Sequence, residues 1–225
     1  MIKIPQFKMR ASGSSNIMGI KGLGQTGFTY LDNWIKGQYY KRQVEIKSKY
    51  LDKGNIMEDN SLDEVAKRLG IAVLLKNEEH FDNKFLRGTP DAIVDGVVID
   101  VKNSWSWETF PLTDVEPNKN YYWQLQSYMA LTDLKESRLV YTLLDTPAHL
   151  IEREAYYYCM RNGYEQLDSK IHKQFIKKMT YSDVPDALRY RSFDIPRDDE
   201  AIDLLYERVK ECRKYIKEKL KTLKY

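Results

Sequence analysis

The stretch Gly88-Thr-Pro-Asp91-Ala-Ile-Val-Asp95-Gly96-Val-Val-Ile-Asp100-Val-Lys102 reads as two short strands joined by a two-residue turn. Asp-Gly between β-branched runs is among the strongest short hairpin signals, because both turn positions need positive φ. With Asp95-Gly96 as the turn, Val94 pairs with Val97, Ile93 with Val98, Ala92 with Ile99 and Asp91 with Asp100. The two aspartates then face each other with Cβ atoms roughly 4.5–5.5 Å apart. Lys102 lies two residues beyond Asp100 and so points to the same face of the sheet.

Two carboxylates opposite one another in a half-buried sheet repel. Either one takes up a proton or a cation sits between them. Hard oxygen ligands on a rigid sheet suit Mg²⁺ or Mn²⁺. The carbonyl of Val101, beside Pro90 in this register, adds a backbone ligand, and Lys102 is placed to position a water and to stabilise charge on a phosphate. A surface hairpin with one Asp–Lys ion pair accounts for Asp-x-Lys by itself. The discriminating feature is the whole set: Gly88-Thr-Pro-Asp91, the tight turn, Asp100-Val-Lys102 and the helix that follows.

That helix opens at Pro117 and Asn118 and continues to about Thr132. Gln124 and Tyr128 are four apart and share one face; they form a hydrogen-bonding edge, or else part of an aromatic-rich packing face with Trp123 and Leu131. Upstream, residues 30–58 are predicted helical. Tyr30, Leu31, Trp34 and Ile35 form one apolar group, and Val44, Ile46 and Tyr50 a second. Lys36, Lys41, Arg42, Lys47, Lys49 and Lys53 interleave with Trp34, Tyr39 and Tyr40, which fits a solvated face and a DNA-facing one equally. Ser61-Leu-Asp-Glu64 has the form of a capping box and predicts a helix over 62–69. Strands are predicted over 71–75, 85–94, 97–102 and 138–144. Residues 148–182 read as helical with an interruption at Asn162-Gly163, and 190–195 as a last strand or an extended link. A long helix over 198–221 carries Leu205, Val209, Cys212, Ile216 and Leu220 on one face. The Gly- and Ser-rich residues 1–30 predict a flexible N-terminal arm. Gly22-Leu-Gly-Gln-Thr-Gly27 matches GxGxxG literally, but no strand precedes it and no βαβ unit follows, so a flexible loop is the better reading.

The chain has 225 residues, 42% hydrophobic and 31% charged, which suits one folded domain with a substantial core. We expect a catalytic core over 43–145 and a mostly helical extension over 146–225. Cys159 and Cys212 exclude a four-cysteine zinc or iron–sulfur site on count alone. His80, His149 and His172 are too scattered for a histidine metal site. No apolar run approaches the ~20 residues of a membrane helix, and the start carries no signal segment, so the expectation is a cytoplasmic chain with no membrane association. The net charge of +3 permits nucleic-acid binding without arguing for it.

Pro90-Asp91 followed by Asp100-Val-Lys102 resembles the PD-(D/E)XK nuclease superfamily, and the element order matches that family's restriction-endonuclease-like αβββαβ core, an α/β fold with a central mixed sheet flanked by helices. Gln124-x-x-x-Tyr128 and Gly54-Asn-Ile-Met-Glu58 resemble motifs of its RecB-like and lambda-exonuclease-like (YqaJ-type) phage branch. The resemblance implies a Mg²⁺-dependent deoxyribonuclease acting on DNA ends in phage-type recombination or repair. It implies that Glu58 is a further metal ligand, or a ligand to metal-bound water, beside Asp91, Asp100 and Val101, with Lys102, Gln124 and Tyr128 completing the catalytic set. Many members carry Glu where Asp100 stands. Phage-type members use a basic, Ser-containing N-terminal segment near the DNA end; Arg10, Ser12 and Ser14 match it here, with Lys53 and Gly54 as further DNA-binding candidates. Lys173, Lys177 and Lys178 fit either a DNA channel or a solvated helix face. A single-strand annealing protein and a homo-oligomer are the partners the resemblance suggests. A structure-specific endonuclease or resolvase, a silent DNA-binding protein and an RNA-processing enzyme remain open on the same core.

Overall fold

The structure, a computed structural model, describes residues 4–44 and 48–223. The candidate apolar residue Ile46 and the candidate basic residue Lys47 lie outside the described residues. The chain forms β1 (Met9–Arg10), a 3-10 helix (Ala11–Ile17), α1 (Gly24–Tyr40), α2 (Lys49–Ile56), α3 (Glu58–Leu69), β2 (Phe81–Asp82), β3 (Leu86–Gly88), β4 (Ala92–Val94) and β5 (Val97–Asn103). It continues through α4 (Lys119–Thr132), β6 (Glu136–Thr142), α5 (Ala148–Arg161), α6 (Ser169–Met179), β7 (Tyr190–Pro196) and α7 (Asp199–Thr222).

The central sheet has the order β4-β5-β6-β7; β5 and β6 are parallel, and the outer pairs are antiparallel. It is therefore mixed, as expected, and helices cover both faces. Alternation along β5 assigns the faces: Val98 packs with Leu125, Tyr128 and Met129 of α4, whereas Ile99 and Val101 pack with Leu62, Val65 and Ala66 of α3. Asp100 shares the parity of Val98 and so faces α4. A third cluster lies apart from this sheet and joins Phe7, Met9, Ile17, Leu31, Ile35, Leu205, Val209, Cys212 and Ile216. The C-terminal helix α7 thus packs its predicted apolar face against α1 and the N-terminal segment.

Five local expectations fail, each for a physical reason. The helix expected over 30–58 stops at Tyr40, where Lys41 turns left-handed (φ 50°) and caps α1, and α2 starts afresh at Lys49 after the Ser48 cap. Residues 71–75 are not a strand: Ile71, Val73 and Leu75 are exposed and Leu74 alone is buried. Their alternation meets no partner ladder; the tie nearby is Asn77 N–H to the Asp91 carbonyl at 2.8 Å. The predicted strand 85–94 splits into β3 and β4 around Thr89-Pro90-Asp91, where Pro90 has no N–H to donate. Ser61 is not a helix cap: α3 starts at Glu58, directly after α2, and Ser61 Oγ bonds the Met57 carbonyl and Thr142 Oγ1, each at 2.9 Å. The predicted flexible arm holds β1 and a 3-10 helix with Ala11, Ser14 and Ile17 buried, and Gly24 of the GxGxxG stretch opens α1. Its small residues permit close packing rather than mobility.

Candidate active site

The hairpin turn has the predicted form. Asp95 and Gly96 take φ of 49° and 80°, the two left-handed positions a type I′ turn requires. The register that follows is Ala92 with Ile99, Ile93 with Val98 and Val94 with Val97. Asp91, one residue before β4, sits against β5: its Oδ2 accepts the Val101 N–H at 2.7 Å. Asp100 is fully buried. Its Oδ1 accepts from Gln124 Nε2 at 2.8 Å, and its Oδ2 faces Lys102 Nζ at 2.6 Å without a well-aligned hydrogen bond. Gln124 Nε2 also reaches Tyr128 Oη at 3.1 Å, so the one-turn spacing on α4 sets Tyr128 behind the amide that holds Asp100. Gly88 allows this approach, since a Cβ there would stand 2.9 Å from the Tyr128 ring and from Ala11 Cβ.

The electrostatics follow from burial. Desolvation raises the Asp91 carboxyl to about 7, the charge of Asp100 adds to this, and Lys102 and the Val101 N–H partly offset it. Burial likewise raises Asp100, against the pull of Lys102. For Lys102, burial alone would lower the ammonium, but the charges of Asp100 and Asp91 outweigh it and keep it cationic. Its Nζ also lies 4.9 Å from the centroid of the Tyr121 ring. Tyr128, raised by burial, stays a neutral phenol.

Asp91 and Lys102 line a cavity of about 420 Å³ together with Glu58 and Val101, with Gly54, Ser61, Tyr50 and Trp105 among the other walls; Asp100 lies behind them, fully buried. Glu58 enters from the first turn of α3, and its Oε2 pairs with Lys76 Nζ at 2.9 Å, a partner that the sequence alone did not reveal. Among the described residues no three His, Cys, Asp or Glu side chains stand at metal-ligand spacing. The close pair is Asp91 and Asp100. Its oxygen-only donor set and raised proton affinity fit a hard divalent cation, with Glu58 on the same cavity wall as Asp91.

The DNA-binding candidates separate. Arg10 and Ser12 are exposed, and Gly54 borders the cavity with open space before its Cα. Ser14 is buried, its Oγ 2.7 Å from Ser127 Oγ, and so presents no surface hydroxyl. Lys53 is also buried and contacts no groove: its Nζ donates to the carbonyls of Ser104, Trp105 and Leu144 at 2.9, 3.2 and 2.8 Å. Desolvation lowers this ammonium to about 8. Sequence pattern missed Arg87, which pairs with Arg10 in the parallel β1–β3 register and is likewise exposed. Only the strand pairing sets the two arginines at neighbouring positions. His80 bonds Thr89 Oγ1 at 3.2 Å and joins no carboxylate cluster.

No family model matches the chain, and no curated protein matches it. Its fold is similar to that of solved exonucleases. A phage-related exonuclease from Haemophilus somnus 129PT superposes with a TM-score of 0.79 at 24% identity, covering 98% of each chain. The alkaline exonuclease LHK-Exo from Laribacter hongkongensis superposes with a TM-score of 0.67 at 17% identity, over 96% of this chain and 91% of the other. LHK-Exo in complex with dAMP gives 0.66 at 18% identity, with the same coverage.

Proposed function

We propose, from the fold shared with these exonucleases and from the hairpin chemistry, that the chain is a divalent-metal-dependent deoxyribonuclease hydrolysing phosphodiester bonds at DNA ends. The observation that carries this reading is Asp100, a fully buried carboxylate set directly behind a second carboxylate, Asp91, and an ammonium, Lys102, that line a cavity. Such a group is expensive to bury for structure alone. Asp91, Asp100 and the Val101 carbonyl would hold Mg²⁺ or Mn²⁺, with Glu58 as the third carboxylate. When bound there, the cation polarises a phosphate oxygen and lowers the pKa of water.

The chain's own groups do the rest. Lys102, kept charged, stabilises negative charge on the phosphate and orients the attacking water. Gln124, itself bonded to Tyr128, is a positioning residue that holds Asp100 in one rotamer. Arg10, Ser12 and the adjacent Arg87 bind a terminal phosphate, and this favours an exonuclease over an internal cutter. The phage-related and alkaline exonuclease neighbours, one of them with dAMP, support DNA as substrate. A role in recombination beside an annealing protein, in a homo-oligomer, is the corresponding biological setting.

The test compares a 5′-phosphorylated linear duplex, its 5′-hydroxyl counterpart and a closed circle, each with Mg²⁺. The reading predicts degradation of the first, slower degradation of the second and an intact circle. Cutting of the circle would move the assignment to an endonuclease, and no cleavage of any DNA would remove it.

A further inference from the structure

We infer that Lys76 is a stand-in for the cation: its ammonium holds the Glu58 carboxylate in the metal-free site and has to leave it before Glu58 can serve a divalent ion. This rests on the nuclease reading and specifies how the same site is kept and loaded. Lys76 Nζ pairs with Glu58 Oε2 at 2.9 Å, and Glu58 lines the cavity that Asp91 and Lys102 also line. The bond to Glu58, and after it the charges of Glu58, Asp59 and Asp91, raise the affinity of this ammonium for its proton. Lys76 thus belongs to the charge cluster of the hairpin, although it lies on neither strand. Among the described residues Glu58 does not stand at metal-ligand spacing from the Asp91–Asp100 pair, as expected if Lys76 holds it aside.

Burial makes Lys76 the removable cation and Lys102 the fixed one. The Lys76 side chain is 48% exposed, so its ammonium can swing into water with little change in solvation. The Lys102 side chain is 23% exposed, its partner Asp100 is wholly buried, and its Nζ also sits by the Tyr121 ring. Only the side chain of Lys76 needs to move. Residues 71–80 form no strand or helix, yet Leu74 is buried with Leu62 and Val65 of α3. Asn77 donates its N–H to the Asp91 carbonyl at 2.8 Å and its Nδ2 to the Pro90 carbonyl at 3.1 Å. The backbone of Lys76 is therefore pinned on both sides, on one of them to the hairpin itself. Charge balance points the same way. Glu58, Asp91 and Asp100 against Lys102 alone leave two negative charges, which one divalent ion neutralises; with Lys76 still in place the same ion would leave the site positive. Without the ion, Lys76 relieves the repulsion among the carboxylates.

The test is calorimetric titration of Mn²⁺ into the metal-free protein at pH 7, for wild type, Lys76→Met, Glu58→Gln and the double variant. Lys76→Met should bind Mn²⁺ roughly tenfold more tightly than wild type, the gain expected when a unit positive charge within about 6 Å of a divalent ion is removed. In the Glu58→Gln background the same substitution should change the affinity by less than about threefold, because the contact it acts through is gone. Lys76→Arg keeps the ion pair and should bind Mn²⁺ as wild type does. Unchanged or weaker binding by Lys76→Met overturns the inference. So does an equal gain in both backgrounds, which would mark a general field in the cavity and not an exchange at Glu58. The nuclease reading fails by a different result: no Mn²⁺ binding by any of these proteins removes the metal site itself, and the inference with it.

Discussion

Two regions of this molecule solve opposite problems. Around α1, α7 and the N-terminal segment, Leu31, Leu205, Val209 and Cys212 are wholly buried among apolar neighbours. Around the hairpin, the same degree of burial is imposed on Asp100, with Asp91, Lys102 and Gln124 packed about it. The first region gains stability from every buried group; the second spends it on unbalanced charge. The contrast separates groups present for folding from groups present for chemistry, and substitutions in the two regions should behave as opposites.

The largest effect should come from Asp100→Ala. We expect cleavage to fall by roughly 10²–10³-fold or more, the scale seen when a charge-stabilising group is removed. Asp100→Asn should lose activity similarly, yet lower the melting temperature in EDTA at pH 8 by less than Asp100→Ala, because the amide oxygen still accepts from Gln124. Matched rate and melting measurements check both. In the helical region, Leu205→Ala should cost about 2–5 kcal/mol in denaturant unfolding, with the cleavage rate per folded molecule unchanged.

Titration should distinguish the regions next. The folded Asp91 carboxyl lies at about 7, above its ordinary 3.8, so the folded state binds the extra proton between these values. The metal-free protein should lose stability as pH rises from 4 to 7, and Asp91→Asn should flatten that slope in melting curves. Lys53 has the reverse sign. Its folded value of about 8 lies below the ordinary 10.5, so the unfolded chain binds more protons between them and stability gains as pH rises through that window. Lys53→Met should abolish this gain and, by orphaning three carbonyls, lower stability at neutral pH as well. The smallest change expected is Ser14→Ala, about 1 kcal/mol from the lost contact with Ser127, read by the same unfolding assay.

The hairpin was legible because its information is local. Asp95-Gly96 sets the turn, the turn sets the register, and the register sets which side chains share a face. The spacing of Gln124 and Tyr128 was legible for the same reason, since one helical turn brings them together. What was hidden is non-local. Nothing near Lys53 in sequence indicates that the carbonyls of residues 104, 105 and 144 converge on it. The pairing of Arg10 with Arg87 depends on a parallel strand contact across 77 positions of chain. Ser14 looked like a solvent-facing hydroxyl because Gly-Ser composition resembles a mobile arm, and only the packing of α4 shows it buried. Residues 71–75 had strand composition without a strand to pair with.

The proposed activity requires a divalent ion shared by Asp91 and Asp100. Calorimetric titration of Mn²⁺ into the metal-free protein at pH 7 tests this most directly. Wild type should bind with release of protons, seen as a heat that depends on the buffer, and Asp91→Asn and Asp100→Asn should each lose at least roughly tenfold in affinity. Binding of equal strength in all three proteins would contradict it.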